Sequence, residues 1–426
     1  MIMGAPAMVH AAGFAIVEQN ASRLGNAYAG GAAEANDASV IFYNPAGMAH
    51  LEGRQVSASG LLFMPKSEFN NAGSVSAANS PLGGGNGGNG ASASFIPNLY
   101  FMDSLANGWK YGVSLTAPAG VQIENGERWV GRYYSTESSL QVLNISPAIA
   151  GKIGPDTAVG AALDIQYSRA KLSKALDFGS ACYGVAPAPF CISQGMAPAS
   201  NDGMAKVEGH DWSVGYHFGI QHDINADTRI GAHYRSKVTH TIDGDVTFSN
   251  VPAFAAAGFP NTSAKAEITL PEVVSLSALH KLTPALTLMG DAAWTRWSRF
   301  NELRIRFGNP VVPDDVTAEN WKNTWRFALG ANYRYTSNLM LRAGVSHDKG
   351  PVRGSQRTPA IPDGTRNALA FGANYKLARN SSIDVGYAHL FFPNGGVALA
   401  TPTQGSLRGH YKSSADIIGV QYNHAF

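Results

Sequence analysis

Two cysteines, Cys182 and Cys191, stand close together in a Pro- and Gly-rich stretch between strand-like segments. In an exported chain such a pair closes a loop disulfide, with free thiols or a metal pair as the other readings. The 12 histidines are scattered. His210, His217 and His222 come nearest to a group, but their spacings place them on one face of neither a strand nor a helix, as a metal would require. Gly83, Gly85 and Gly88 reproduce a dinucleotide-binding spacing literally. No strand-like run precedes them and no helix-like run follows, so residues 82–90 read as a flexible loop. No Gly-x-Ser-x-Gly elbow occurs and no Ser, His and Asp set stands out, which disfavours a lipase. Neither an enzyme nor a resident metal or cofactor is expected.

The elements around these residues are strands of one kind. From Ile418 to the last residue, Ile418, Val420, Tyr422, His424 and Phe426 alternate with Gly419, Gln421, Asn423 and Ala425. A period of two separates a bulky face from a small, polar one. The pattern recurs where Phe327, Leu329, Ala331, Tyr333 and Tyr335 interleave with Ala328, Gly330, Asn332 and Arg334, and again around Leu341, Leu369 and Ile383. Tight polar turns at 335–339 and 377–381 contrast with a long Pro- and Gly-rich loop at 347–366. Short turns alternating with long loops, and bulky faces alternating with small ones, give an all-β, antiparallel transmembrane barrel of the bacterial outer membrane. Its aromatic residues, Trp included, are expected in interfacial girdles.

Composition points the same way. Charged residues make up 15% of the 426, against roughly 25% in an average soluble protein, and Gly contributes 47. No apolar run of about 18 residues exists, so a helical membrane protein is excluded. The net charge of +2 comes without a basic cluster, so nucleic acid is not an expected partner.

The first eleven residues read as a signal-peptide remnant ending at Val9-His10-Ala11, with the mature start near Ala12. Residues 12–52 are rich in small residues and read as short helices, and Asn44 is placed to cap a helix whose first residue is Pro45. A piece of about forty residues is too short for its own core. It fits inside the lumen of a barrel formed by 53–426, as a plug.

In this order, several stretches resemble the FadL-type long-chain fatty acid and hydrocarbon transporters of the outer membrane. They are Ala12-Gly13-Phe14, Asn44-Pro45-Ala46, Trp129-Val130-Gly131-Arg132-Tyr133 and Tyr167-Ser168-Arg169-Ala170-Lys171, followed by Leu270-Pro271-Glu272, 294–300, 321–326 and 361–366. The resemblance implies a monomeric 14-stranded barrel with an N-terminal helical hatch, passive uptake of a hydrophobic small molecule, and no cofactor. Ligand would rest among the outer loops, move to a luminal pocket beside the hatch, and leave sideways through a gap in the wall. It implies that Arg169 and Lys322 lie beside a ligand carboxylate, and that Phe14 and Ile16 form the hatch end that touches ligand.

The gap itself is expected in the third strand, at Pro118-Ala119-Gly120, where Pro cannot donate to the ladder and Gly permits a kink. Further expected partners are outer-membrane lipid, lipopolysaccharide and, through the C-terminal strand, the barrel assembly machinery. Long-chain fatty acids lead as substrate, with monoaromatic or alkane hydrocarbons as the alternative. A general porin is disfavoured because an open aqueous pore would not be filled by such an insert.

Overall fold

The structure is a computed structural model and describes residues 13–426. The expected leader, 1–11, and Ala12 lie outside the described residues. Fourteen antiparallel strands close into one barrel. The first six are β1 (Gln55–Asn71), β2 (Ser94–Ser104), β3 (Lys110–Glu124), β4 (Glu137–Lys152), β5 (Thr157–Asp177) and β6 (Asp202–Asn225). The next four are each broken in two: β7 (Thr228–Arg235, Val238–Ser249), β8 (Thr262–Leu270, Val273–Lys281), β9 (Leu286–Thr295, Glu302–Phe307) and β10 (Asp315–Ala318, Thr324–Arg334). The circuit is completed by β11 (Leu339–Asp348), β12 (Arg366–Ala378), β13 (Ser381–Phe391, Gly395–Thr401) and β14 (Gly405–Ala425). β14 pairs with β1 from Gln55↔Ala425 to Asn71↔Gly409, so the sheet has no free edge there.

The alternation read from sequence is the inside and outside of this wall. Leu329, Phe371, Val385, Tyr387, Ile418 and Val420 are exposed on the outer surface, while Ala328, Ala370, Asp384 and Gln421 are buried. In the membrane those outer side chains meet lipid tails, the environment that makes a bulky apolar face stable.

The inward glycines have a different use. A Cβ on Gly344 would lie 2.2 Å from the Asn26 backbone, and one on Gly160 would lie 2.5 Å from that of Ala46. The wall is cut back to glycine where the N-terminal segment presses against it. That segment holds a 3-10 turn at Leu24–Asn26, the short helix α1 (Val40–Tyr43) and a 3-10 helix at Pro45–His50. Asn44 caps the last of these, its side chain accepting from the Ala46 amide 3.0 Å away. The Asn44 side-chain amide also donates to the carbonyl of Ala32 and to Ile220 in β6, tying the turn to the wall.

Between β5 and β6, α2 (Phe178–Tyr183) and α3 (Ala188–Ser193) are joined by the disulfide Cys182–Cys191. Three of the seven tryptophans depart from the expected girdle. Trp212 and Trp325 do face outward, but Trp129, Trp297 and Trp321 are buried. All three sit between strand segments, where no strand phase fixes the side-chain direction, and Trp297 and Trp321 fold inward from the breaks in β9 and β10.

Candidate functional site

The lumen contains a cavity of about 160 Å³. Ile16 and Val17 of the N-terminal segment, Val238, Leu270, Val273 and Trp297 supply much of its apolar lining. Polar groups converge on the same space: His233 and Arg235 from β7, Asp291 from β9, Arg326 from β10, Asp348 from β11 and Arg366 from β12. An apolar cavity with a few directed polar groups is the usual form of a small-molecule site.

The first described residues pack beside this space. Phe14 meets Trp297 edge-on at 4.8 Å and Phe300 at 5.4 Å, with Trp321 at 5.5 Å. Gly13 donates its N–H to Asp363 at 2.9 Å. Gly13 has φ +65°, and a Cβ there would lie 2.6 Å from both Trp297 and Trp321, so glycine is required on both counts. Phe14 is thus an aromatic anchor, and Ile16, two residues on, reaches the cavity.

On the opposite side the segment acts as a missing strand. Pairing of β2 with β3 stops at Leu99↔Leu115, and pairing of β3 with β4 slips between Thr116 and Ala119. Pro118 has no N–H to give, and its carbonyl instead accepts from Ile16 at 2.8 Å. Gly120 donates to the Phe14 carbonyl at 2.8 Å. Gln19 completes the run with its side chain, donating to the Ala117 carbonyl at 2.8 Å and accepting from the Ala117 amide at 3.0 Å. Facing the unpaired stretch, Asn98 of β2 is buried, and neither atom of its side-chain amide has a partner among the described residues.

The two basic positions expected at the ligand are not brought together. Asp164, Gln166 and Ser168 are the inward phase of β5, so Arg169 falls on the outward phase with Leu163 and Ile165 and pairs with Glu208. Lys322 is exposed beside buried Trp321 and does not line the cavity; its amide donates to the Pro351 carbonyl. The cations at the cavity are Arg235, Arg326 and Arg366, which no quoted motif singled out except as the last residue of the 361–366 stretch or the end of 321–326. His210, His217 and His222 lie on β6 without forming a metal site, and no metal-binding group of His, Cys, Asp and Glu occurs among the described residues.

Two buried carboxyls hold the loops over the N-terminus. Burial lifts Asp363 to about 7 against the opposing pull of Arg366 and the Gly13 hydrogen bond. Burial likewise lifts Glu319 to about 7, although it accepts from the Trp321 indole at 2.8 Å. Both values lie above the roughly 4 of an unfolded carboxyl, so between about pH 4 and pH 7 the folded state binds the extra protons. Their contribution to stability is therefore present at low pH and is lost as pH rises through about 7. Urea unfolding in detergent at pH 5 and pH 8 should show this decline, flattened in a Glu319→Gln, Asp363→Asn variant. A slope unchanged by the double substitution would remove these carboxyls from the account.

A closed barrel with a lipid-facing outer surface, a filled lumen and an apolar internal cavity is an outer-membrane channel for hydrophobic compounds. The sequence profile of the outer membrane protein transport protein family (OMPP1/FadL/TodX) matches residues 3–426, and the chain belongs to this family. It is 30% identical over 450 residues to a putative outer membrane protein of Neisseria meningitidis, covering 99% of this chain and 96% of that one. It is 27% identical to a long-chain fatty acid transport protein of Escherichia coli, covering 97% and 94%. The crystal structure of a Pseudomonas aeruginosa FadL homologue superposes with a TM-score of 0.88 at 24% identity, covering 97% of this chain and all of that one. The protein is a Gram-negative outer-membrane transporter of hydrophobic compounds.

Proposed function

We propose that the protein admits long-chain fatty acids by passive diffusion, through the luminal cavity and then sideways through the wall at Pro118-Ala119-Gly120. The observation that carries the substrate class is the excess of cations on the cavity, three arginines against the two carboxylates Asp291 and Asp348. A guanidinium offsets the desolvation of a carboxylate, which a hydrocarbon has no means to exploit. The lateral route is supported by the stretch of β3 that pairs with the N-terminal segment instead of β2. Displacing that segment, the hatch, would leave an unpaired opening between β2 and β3.

The cavity size favours a second reading. Its volume of about 160 Å³ is close to the ~150 Å³ that holds one benzene ring, so monoaromatic hydrocarbons would fit without rearrangement. A long acyl chain needs the additional space that hatch movement provides. Competition on purified protein separates the two. A bound fluorescent fatty acid should be displaced by oleate and not by toluene; displacement by toluene with little effect of oleate would move the assignment to hydrocarbons.

A further inference from the structure

Two of the cavity arginines also face the hatch. Arg326 donates through Nη2 to the Ala27 carbonyl, while its Nη1 lies 3.5 Å from Asp291, at the outer limit of a hydrogen bond. Asp291 is already engaged by the Ser277 hydroxyl at 2.5 Å. Arg366 is paired with Asp348. Behind them lies a separate void of about 20 Å³, lined by Arg326, Arg366 and the hatch carboxylate Glu18. Glu18 is 5% exposed, and its Oε2 has no hydrogen-bond partner among the described residues. Burial raises its pKa, and the fields of Arg366 and Arg326 oppose that rise. The two guanidinium groups line both spaces, so they partition the substrate cavity from a buried carboxylate of the hatch.

We propose that an anionic head group entering the cavity takes over Arg326 and Arg366 from Glu18 and the Ala27 carbonyl, and that this exchange of one carboxylate for another releases the hatch. The inference rests on the fatty acid reading and gives that reading its trigger. A guanidinium offers a fixed fork of donors, and turning it toward a ligand withdraws it from the hatch. Glu18, buried and losing its nearest cations, is then more stable in water than in the lumen. An uncharged amphiphile of the same length fills the cavity without making the exchange, so the clamp discriminates by charge at the opening step.

Hydrogen exchange on the full chain in detergent tests this with oleate and oleyl alcohol as probes, each first checked for displacement of a fluorescent fatty acid. Oleate should speed exchange of the amides in residues 16–34 by about tenfold or more, the scale of losing one charge-assisted hydrogen bond. Oleyl alcohol should displace the fluorophore and leave that exchange unchanged. In Arg326→Met the ligand-free rate should rise and oleate should add nothing further, with Arg326→Lys restoring part of the response. Glu18→Gln, which leaves both arginines in place, should raise the ligand-free rate and shrink the oleate response. Equal acceleration by both probes, or a full oleate response in Arg326→Met or Glu18→Gln, would overturn the exchange. Failure of oleate to displace the fluorophore at all would instead overturn the fatty acid reading beneath it.

Discussion

Oxidising a cysteine pair placed across β2 and β3, Asn98→Cys with Thr116→Cys, is expected to reduce fatty acid uptake to near background and to leave luminal binding intact. The two positions follow directly on Leu99↔Leu115, the last pair of the β2–β3 ladder, and both side chains point inward and are buried. A covalent link there would substitute for the hydrogen bonds that β3 makes with the hatch instead of with β2. Hatch movement could still occur, but the wall would no longer part. Reduction should restore uptake, and the parent protein carrying only Cys182–Cys191 is the control for the reductant. Uptake that persists with the link formed would show that ligand leaves another way, for instance straight down the lumen. Loss of binding together with uptake would show that the link distorts the cavity and would count against a separate exit.

The barrel was legible because its signal is repeated and local. Each outward Leu, Phe, Tyr or Val marks its own strand phase, and the turn at 335–338 marks a hairpin without help from distant residues. The strand breaks were not legible. Pro271 gives a hint for β8, but at the interruption of β9, Trp297–Arg299, Trp297 packs on Phe14, nearly three hundred positions away, a contact that local spacing does not encode. The site was read partly out of phase. Asp164, Gln166 and Ser168 alternate with Leu163, Ile165 and Tyr167, and that alternation alone puts Arg169 on the lipid side. Following strand phase would have rejected Arg169, whereas matching a motif retained it. The same rule points to Arg342 and Asp384 as inward charges, and they form a buried pair. The rule also turns Arg235 and Arg326 inward, but what distinguishes them from other inward charges is contact with hatch carbonyls, which sequence spacing does not encode.

Asp164→Leu is expected to destabilise hatch docking by about 3–5 kcal/mol, the cost of stranding a buried cation by removing its partner. The Asp164 side chain is fully buried and sits at the centre of a polar cluster linking β4, β5, β6 and β7. It accepts from the Ser146 hydroxyl at 2.7 Å, the Asn144 amide at 3.0 Å and Arg235 Nη1 at 2.8 Å, with His217 Nδ1 at 2.9 Å. The other ends of two of these partners hold α1 of the hatch. His217 Nε2 lies 2.8 Å from the Ile41 carbonyl, and Arg235 Nη2 donates to the Phe42 carbonyl at 2.8 Å while its guanidinium stacks 4.4 Å over the Phe42 ring. Leucine in place of Asp164 would leave the Arg235 guanidinium in the lumen with only a neutral carbonyl to face, and would take from His217 the carboxylate that fixes its ring. Arg235 would turn toward water and the His217 ring would lose its orientation, so both wall contacts of α1 would weaken. Hydrogen exchange of the amides in Val40–Tyr43 reads this directly, because their protection reports hatch docking even when the fourteen-strand wall remains folded. Asp164→Asn, which keeps one acceptor, should lie between the wild type and Asp164→Leu. Undiminished protection of α1 in Asp164→Leu would mean that apolar packing holds the hatch and that the charges of the cluster only decorate the contact.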